Sequence, residues 1–310
     1  MVTAMATTTR ARNATPSSKA RVWGARICAG LLAIALSPSC GEPPSAPEAD
    51  RSAPAQAPER VVVIGPSSAE TLVWLGLDSA VVGVSDYCSA PAFASLPRVG
   101  GQLDPNLERI AALEPDLVIV QGAHSKVEAW CARNDVRFLP FKTQSVDDWR
   151  EEAALYGGWF RVADIDDRLQ AWNQRYANAA AREVSAPQRV LIVASRDPER
   201  VTRLLVAGRG SYLGELLVHA GGQGLFADHD RDYFDLAEES LLRLQPEVIL
   251  ELSGQQSDAE RLALWQAAFP ELPAVQNGRV FGITEDYVFL PGPRMLDTVQ
   301  LLREKLLFTE

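Results

Sequence analysis

The sequence predicts an α/β protein with two lobes, each built around a mainly parallel sheet, joined by one long helix. Three observations support this fold class. From Arg60 onward, short apolar runs rich in β-branched residues alternate with amphipathic segments. Residues 162–179 carry apolar side chains at steps of three and four, which is the period of a single amphipathic helix. One helix-to-strand unit occurs twice, on either side of that helix.

The N-terminal lobe is predicted to span residues 60–158. Its predicted strands are "RVVVIG", "AVVGVS", "DLVIVQ" and "VRFLPF". Its predicted helices are "SSAETLVWLGL", "NLERIAAL" and "SKVEAWCARND". Ser67 and Glu70 have the spacing of a capping box, so the first helix is expected to begin there. Alternation of this kind predicts a largely parallel sheet with helices on both faces.

The connecting helix is predicted over residues 159–184, with its clearest pattern at 162–179, and would be on the order of 30 Å long. The C-terminal lobe follows over residues 185–310. Its predicted strands are "RVLIVAS", "TRLLVAG", "EVILELS" and "RVFGIT", separated by helical segments. The segment "GRGSYLG" is interpreted as a tight turn in which Ser211 caps a helix, because its glycine spacing does not fit a dinucleotide loop. Because strands and helices alternate in both lobes, each lobe is expected to be Rossmann-like.

The repeated unit reads "NLERIAALEPDLVIV" in the first lobe and "EESLLRLQPEVILEL" in the second. Glu108 stands seven positions before Pro115, and Glu239 stands seven before Pro246. The residue before proline is disfavoured in a helix, so each helix should end there and a buried strand should follow. A glutamate in the first helical turn is favoured by the helix dipole alone. One such glutamate in each lobe also fits a docking surface with two acidic contacts.

The N-terminus has the features of an export signal. Residues 1–39 contain five basic residues and no acid, and they end in the apolar run "ICAGLLAIALS", which is too short to span a bilayer. Cys40 follows, and residues 40–59 form a Pro- and Ala-rich flexible tether. The segment resembles a bacterial lipoprotein signal with lipidation at Cys40. A plain secretory signal cleaved nearby is the alternative.

Charge and cysteine content limit the partners and the compartment. Removal of residues 1–39 leaves 25 basic residues against 40 acidic ones, which suits neither nucleic acid nor anionic lipid. A small ligand or a basic protein partner fits better. The folded part keeps Cys88 and Cys131, which could form a disulfide in an oxidising compartment or remain two buried thiols.

The sequence contains no recognisable catalytic or metal-binding motif. No nucleophile elbow is present, so we expect no enzyme activity, and an exported hydrolase is the weakest alternative. The three histidines have no HxH or HExxH spacing, and we expect His219 to be packed or solvated. His124 and His229 could meet across a cleft with Asp228 or Asp230. We assign no metal ligands and no resident cofactor.

Aromatic residues form the better candidate site. They are expected in loops beyond the carboxyl ends of strands, where open α/β sheets bind ligands. Flat rings with polar tips suit a bulky, partly apolar ligand. The candidates are Tyr87, Tyr233, Phe234, Tyr287 and Phe289.

From about Arg60 to the end, the chain resembles the substrate-binding receptors of bacterial ABC importers for cobalamin, iron siderophores and haem. The segments "VVGVSDYCSAP" and "PRVGGQLDPNLERIAALEPDLVIV" are most similar to the cobalamin-binding members. "GELLVHAGGQGLFAD", "EESLLRLQPEVIL" and "GRVFGITEDYVFLPGPR" support the resemblance. It implies a monomeric receptor in the periplasm or cell envelope, tethered to the membrane by lipid, that transfers a cobalamin or another metal complex to a permease and its ATPase.

The resemblance also implies roles for particular residues. Glu108 and Glu239 would meet arginines on the permease. Tyr87 and Tyr233 would contact the ligand, with Tyr233 in place of a usual tryptophan, and Gln102 occupies another tryptophan position. A siderophore or haem is the alternative ligand, and a siderophore would favour cleft arginines such as Arg196, Arg203 or Arg294. A zinc or manganese receptor is disfavoured by the histidine count.

Overall fold

The computed structural model describes residues 51–180, 187–226, 228–252 and 256–307. The predicted signal segment, Cys40 and the first half of the predicted tether lie outside these ranges. Residues 51–59 fall within the predicted tether, yet they contact the first lobe: Trp159 Nε1 donates to the Arg51 carbonyl over 3.1 Å, and Pro58 is buried. Across the described ranges, no helix has both the length and the apolar character needed to cross a bilayer.

The first lobe contains a four-stranded parallel sheet in the order β2-β1-β3-β4. The strands are β1 Val61–Ile64, β2 Val81–Val84, β3 Leu117–Gln121 and β4 Arg137–Phe141. Each lies within a run predicted as a strand. Val61 and Val63 belong to the core on one face, and Val62 and Ile64 belong to the core on the other. Both faces are thus covered, which explains the continuous apolar runs.

The helices of the first lobe are α1 Pro66–Leu75, α2 Leu107–Ala112, α3 Ser125–Arg133 and α4 Val146–Trp159. The predicted capping box in α1 was wrong. The helix begins at Pro66 with Gly65 as its N-cap, and it has no side-chain cap. Proline suits the first helical position because its missing N–H would be unpaired there. Ser67 is therefore inside the helix, and Glu70 lies in its second turn.

The helix that joins the lobes is α5, Ile165–Ala179. It is shorter than predicted, because α4 ends at Trp159 and a turn separates the two helices. Fifteen residues correspond to a length of roughly 22 Å. Residues 181–184, the predicted end of this helix, lie outside the described ranges.

The sheet of the second lobe is mixed, in the order β10-β9-β5-β6-β8, with β7 paired to β5. The strands are β5 Arg189–Ser195, β6 Leu204–Ala207, β7 Gln223–Gly224, β8 Tyr233–Leu236, β9 Val248–Glu251 and β10 Val280–Gly282. Strand β6 pairs antiparallel with both β5 and β8. The expectation of a mainly parallel sheet therefore describes the first lobe better than the second. Tyr233 and Phe234 were predicted in a loop but lie in β8.

The helices of the second lobe are α6 Tyr212–His219, α7 Glu238–Leu244, α8 Asp258–Ala268, α9 Pro273–Gln276 and α10 Met295–Leu307. The predicted cap of α6 is confirmed: Ser211 Oγ accepts from the Gly214 N–H over 3.1 Å. A short 3₁₀ helix at Asp286–Phe289 holds Tyr287 and Phe289, which were predicted in a loop.

A row of aromatic rings crosses from the first lobe through α4 and α5 to the second. Adjacent centroids are separated by 5.4, 4.4, 5.1 and 3.8 Å. The rings belong to Trp74, Trp149, Trp172, Tyr176 and His219. The Trp172 indole N–H donates to the Pro293 carbonyl over 2.9 Å, and His219 Nε2 lies 2.6 Å from the Tyr176 carbonyl oxygen. Packing of this kind favours one relative orientation of the lobes, and His219 is packed as expected.

The two copies of the repeated unit are equivalent in detail. Glu108 and Glu239 each occupy the second position of a short helix. The residues before the two prolines, Glu114 and Gln245, have left-handed φ values of 45° and 47°. Both helices therefore end before the residue that precedes proline, as predicted, although that residue is left-handed and not extended.

The acid that follows each proline also has one role in both copies. Asp116 Oδ1 accepts from the Arg60 N–H over 3.1 Å, and the Asp116 N–H donates to the Arg60 carbonyl. Glu247 makes the same pair of hydrogen bonds with Arg189, at 2.8 Å each. The acid thus fixes the start of the central strand, β1 or β5, against its neighbour.

Of the two alternatives left open for Cys88 and Cys131, a disulfide or two buried thiols, the structure has the buried thiols. Both are free and buried. Cys88 packs in the core on one face of the first sheet, and Cys131 packs in the core on the other. The sheet separates the two thiols, so each behaves as a small apolar core residue.

Candidate functional site

A cleft of about 320 Å³ lies between the lobes. The first lobe contributes residues that follow β3 and β4, and the second contributes strand ends, the start of α6 and the region after the 3₁₀ helix. The lining residues are Gln121, Thr143, Gln144, Ala194, Leu205, Ser211, Tyr212, Asp232, Tyr233, Leu252, Phe289 and Pro291. Several of them lie at the carboxyl ends of parallel strands, where this class of sheet binds ligands.

Two of the predicted ligand-binding residues line the cleft. Tyr233 is 37% exposed and Phe289 is 47% exposed, so both rings offer uncovered apolar surface. Burial and the adjacent Asp232 carboxylate raise the pKa of Tyr233 to about 12. The Tyr233 hydroxyl is therefore a neutral hydrogen-bonding group at physiological pH.

Phe234 and Tyr287 are directed elsewhere. Phe234 stacks on His229 with ring centroids 4.0 Å apart, and it packs edge-on against Phe226 in the core of the second lobe. Its position follows from the alternation of side chains along β8, since Tyr233 and Phe234 face opposite sides. The Arg294 guanidinium lies 4.1 Å from the Tyr287 ring centroid. Neither aromatic ring lines the cleft.

The two predicted residues of the first lobe lie outside the cleft lining. Tyr87 is 71% exposed. The Gln102 side chain donates weakly to the Gln121 backbone carbonyl over 3.4 Å, and the Gln102 backbone carbonyl oxygen lies 2.7 Å from His124 Nε2. Gln102 is therefore held beside a cleft residue, while its neighbour Leu103 is 91% exposed.

The sequence interpretation missed the polar residues of the cleft. Gln121 ends β3, and Gly65 permits its position, because a Cβ on Gly65 would lie 2.4 Å from the Gln121 Cβ. Thr143 and Gln144 lie two and three residues after the end of β4 at Phe141. The rule that ligands bind at the carboxyl ends of strands could have found these residues, since Gln121 ends one predicted strand and Thr143 and Gln144 lie shortly after another.

Charge in the cleft comes from a single side chain among the described lining residues, Asp232. The arginines proposed for a siderophore are placed elsewhere. The Arg196 side chain is buried, and its Nε lies 2.6 Å from Glu251. Arg203 is exposed and does not line the cleft, and Arg294 lines a separate cavity with Glu70.

One side-chain hydrogen bond joins the lobes across the cleft, from Gln144 Nε2 to Asp232 Oδ2. A second inter-lobe bond lies nearby, where the Val146 N–H donates to Glu215 Oε2 over 3.0 Å. A ligand that enters between these residues has to replace the first bond.

A sequence profile of the family described as "Periplasmic binding protein" matches residues 61–287 of the chain. The chain belongs to this periplasmic binding protein family. Proteins of this family bind small molecules for ABC importers and deliver them to a permease. They act in the periplasm or outside the cell.

Similar proteins of known name include several receptors. The vitamin B12-binding protein of Vibrio cholerae serotype O1 is 28% identical over 253 residues, covering 78% of this chain and 87% of the relative. The cobalamin-binding protein of Halobacterium salinarum is 28% identical over 281 residues, covering 84% and 73%.

Solved structures of similar proteins have the same fold. The periplasmic heme-binding protein BhuT in complex with two hemes has a TM-score of 0.70 at 27% identity, covering 80% of this chain and 97% of that one. The vitamin B12-binding protein BtuF of Vibrio cholerae has a TM-score of 0.62 at 27% identity, covering 80% and 96%. The predicted resemblance to such receptors is confirmed.

In this periplasmic binding protein, Glu108 and Glu239 are both exposed. Neither carboxylate forms a hydrogen bond or ion pair with another described residue. Leu242, one turn after Glu239 on α7, is 42% exposed. Glu108 and Glu239 thus place an unpaired carboxylate at the second position of a short helix in each lobe.

Beneath the cleft, the binding protein contains a buried carboxyl group with three hydroxyl partners. Glu152 accepts from Ser68 over 2.5 Å, from Thr143 over 2.6 Å and from Tyr156 over 2.8 Å. Burial raises the pKa of Glu152, and the three hydroxyls oppose that shift. Since Thr143 lines the cleft, this network fixes part of the cleft wall.

Glu251 occupies a different buried environment, at the end of β9 beside the cleft residue Leu252. Its carboxylate lies 2.6 Å from Arg196 Nε and 3.5 Å from Arg261 Nε, and it accepts from the Trp265 indole over 2.7 Å. These contacts explain why Arg196 is unavailable to a ligand.

The histidines are not arranged to hold a metal. Within the described ranges, no three His, Cys, Asp or Glu side chains form a group that could bind a metal ion. His124 contacts the Gln102 carbonyl, and His229 stacks on Phe234. The possibility that they meet across the cleft receives no support from this geometry.

Proposed function

We propose that this chain is the receptor of an ABC importer that captures a corrinoid, such as cobalamin, as transported cargo. The observation that carries the proposal is the composition of the cleft. It combines the rings of Tyr233 and Phe289 with amides and hydroxyls, and within the described lining it has no cation. A corrin ring is a flat apolar surface whose rim carries neutral amides, so it matches both features.

The names of similar proteins support the same ligand class, since receptors for vitamin B12 and cobalamin occur among them. Receptors for haem occur as well. Haem carries two carboxylates, and ferric siderophores of the catecholate and carboxylate types are anionic. Such ligands favour guanidinium partners, which the described lining lacks.

The cleft has about 320 Å³ of space, near the lower end of the range for drug-sized ligands. A corrinoid is larger than that, so we infer that it either projects from the cleft or separates the lobes. The hydrogen bond between Gln144 and Asp232 would then break as the ligand enters. The aromatic row through α4 and α5 restricts this motion to a small one.

Delivery would use the two exposed carboxylates. We infer that Glu108 and Glu239 contact basic residues of the permease, because they are equivalent in position and unpaired among the described residues. ATP hydrolysis by the partner ATPase would release the ligand. We further propose that the mature receptor is a monomer, lipidated at Cys40 and joined to the membrane by the segment before residue 51.

A ligand panel tests the proposal. The chain without residues 1–39 is titrated with cyanocobalamin, haem and a ferric catecholate siderophore, and absorbance and heat are recorded. We expect saturable 1:1 binding of cyanocobalamin that is tighter than binding of the other two. Binding of haem or the siderophore alone would replace the corrinoid with that ligand, and absence of binding to all three would refute the receptor function.

A further inference from the structure

We propose that Asp232 determines the charge selectivity of the cleft: it favours ligands whose rim donates hydrogen bonds and disfavours ligands whose rim carries carboxylates. This inference rests on the proposed function and specifies the chemistry of its ligand. It assigns a role to a residue that lines the cleft between the lobes.

The position of Asp232 is fixed by its backbone. The Gly208 N–H donates to the Asp232 carbonyl over 2.9 Å. A Cβ on Gly210 would lie 2.8 Å from Asp232 Oδ1, so this loop approaches the carboxylate closely. The carboxylate is therefore held at the mouth of the cleft, directly before β8 and the ligand-facing Tyr233.

The carboxylate has acceptor capacity to spare. An ionised carboxylate offers about four acceptor positions. Among the described residues, its one side-chain hydrogen bond comes from Gln144 of the opposite lobe. An amide N–H of a ligand can take the place of the Gln144 amide with the same chemistry, whereas a ligand carboxylate cannot.

The charge also lacks compensation within the cleft. No Lys or Arg is among the described lining residues, and Asp232 forms no ion pair with another described residue. A ligand carboxylate beside Asp232 would face a like charge in a partly desolvated site, where charge interactions are stronger than in water. The Asp232 charge is also one cause, after burial, of the raised pKa of the adjacent cleft residue Tyr233.

The test compares two corrinoids that share the ring and differ in the rim. Dicyanocobinamide carries side-chain amides, and dicyanocobyrinic acid carries carboxylates at the same positions. Dissociation constants of both, and of haem, are measured at one pH and one salt concentration for the wild type and three variants. Asp232→Asn removes the charge and keeps the shape. Gln144→Ala removes the cross-cleft hydrogen bond and keeps the charge.

Asp166→Asn is the matched control, because Asp166 is exposed on α5 and is absent from the cleft lining. It makes the same change in net charge outside the cleft. Thermal melting of each variant establishes that it is folded before its affinities are compared.

We expect the wild type to prefer the amide corrinoid and Asp232→Asn to reduce that preference by about tenfold, which corresponds to about 1.4 kcal/mol. Asp166→Asn should leave both affinities and the preference within about twofold of wild type. Gln144→Ala should change the two corrinoid affinities together and keep their ratio within about twofold of wild type. An unchanged preference in Asp232→Asn would overturn the inference while leaving corrinoid binding intact. An equal loss of preference in Gln144→Ala would assign selectivity to the cross-cleft bond and overturn the role of charge.

The remaining outcomes show whether the charge inference fails alone or together with the proposed function. If the wild type binds haem and neither corrinoid, both fail, because haem carries carboxylates. If the wild type binds none of the three, both also fail. If it binds the carboxylate corrinoid as tightly as the amide form, the charge inference alone is overturned.

Discussion

Replacement of Phe289 by alanine should weaken corrinoid binding by an amount that the structure sets. Phenylalanine presents on the order of 200 Å², and 47% of Phe289 is exposed in the cleft, which leaves roughly 90 Å² for ligand contact. At about 25 cal/mol per Å² of apolar surface, covering that area contributes about 2 kcal/mol. We therefore expect the dissociation constant for cyanocobalamin to rise about 30-fold.

Isothermal titration of the folded variant with cyanocobalamin measures this effect. Leu307→Ala is the control, since Leu307 is 68% exposed on α10 and is absent from the cleft lining. It should bind as the wild type does. Binding of Phe289→Ala within about twofold of wild type would show that the exposed ring does not contact the ligand, and the assignment of this cleft would be wrong.

Three further predictions concern docking and stability. Glu108→Ala with Glu239→Ala should abolish uptake in cells while the affinity for ligand in solution stays unchanged; weaker affinity would place these residues in the ligand site. Glu152→Gln should become progressively more stable than wild type in urea unfolding as pH rises above about 4.5. Because the pKa of Glu152 is raised in the folded state, the folded state holds the proton more tightly. The resulting stabilisation of the wild type is complete below the unfolded pKa and is lost as pH rises through the folded pKa. A pH-independent difference between the two proteins would contradict this. Glu251→Leu should lower the free energy of unfolding by about 3–5 kcal/mol, because it leaves two buried guanidinium groups without their carboxylate; a loss below about 1 kcal/mol in urea unfolding would refute that role.

Much of the fold could be predicted because its signals are local. The apolar runs that became β1, β3 and β9 are buried strands with helices on both sides, so burial on both faces produced continuous patterns. The ends of α2 and α7 followed from the prolines. Elements that depend on tertiary contacts were harder to predict. Strand β8 lacks an apolar run, and it forms because its backbone pairs with β6.

Only the residues of the candidate site that have a local signal could be predicted. Tyr233 and Phe289 could be proposed from residue type and position, and both line the cleft. Phe234 is also aromatic but faces the core. Its orientation could not be predicted, because the side on which a strand residue lies is known only after the strand is recognised. Gln144 and Asp232 meet from opposite lobes, and a contact between residues 88 positions apart has no local signal.

The structure of the complex with cyanocobalamin would show directly whether this cleft receives a corrinoid. We predict electron density for the corrin ring between the lobes, with Tyr233 and Phe289 in contact with its apolar surface. The ring amides should lie within hydrogen-bond distance of Asp232. Density at any other site, or an empty cleft at saturating cyanocobalamin, would contradict the proposal that this cleft binds a corrinoid.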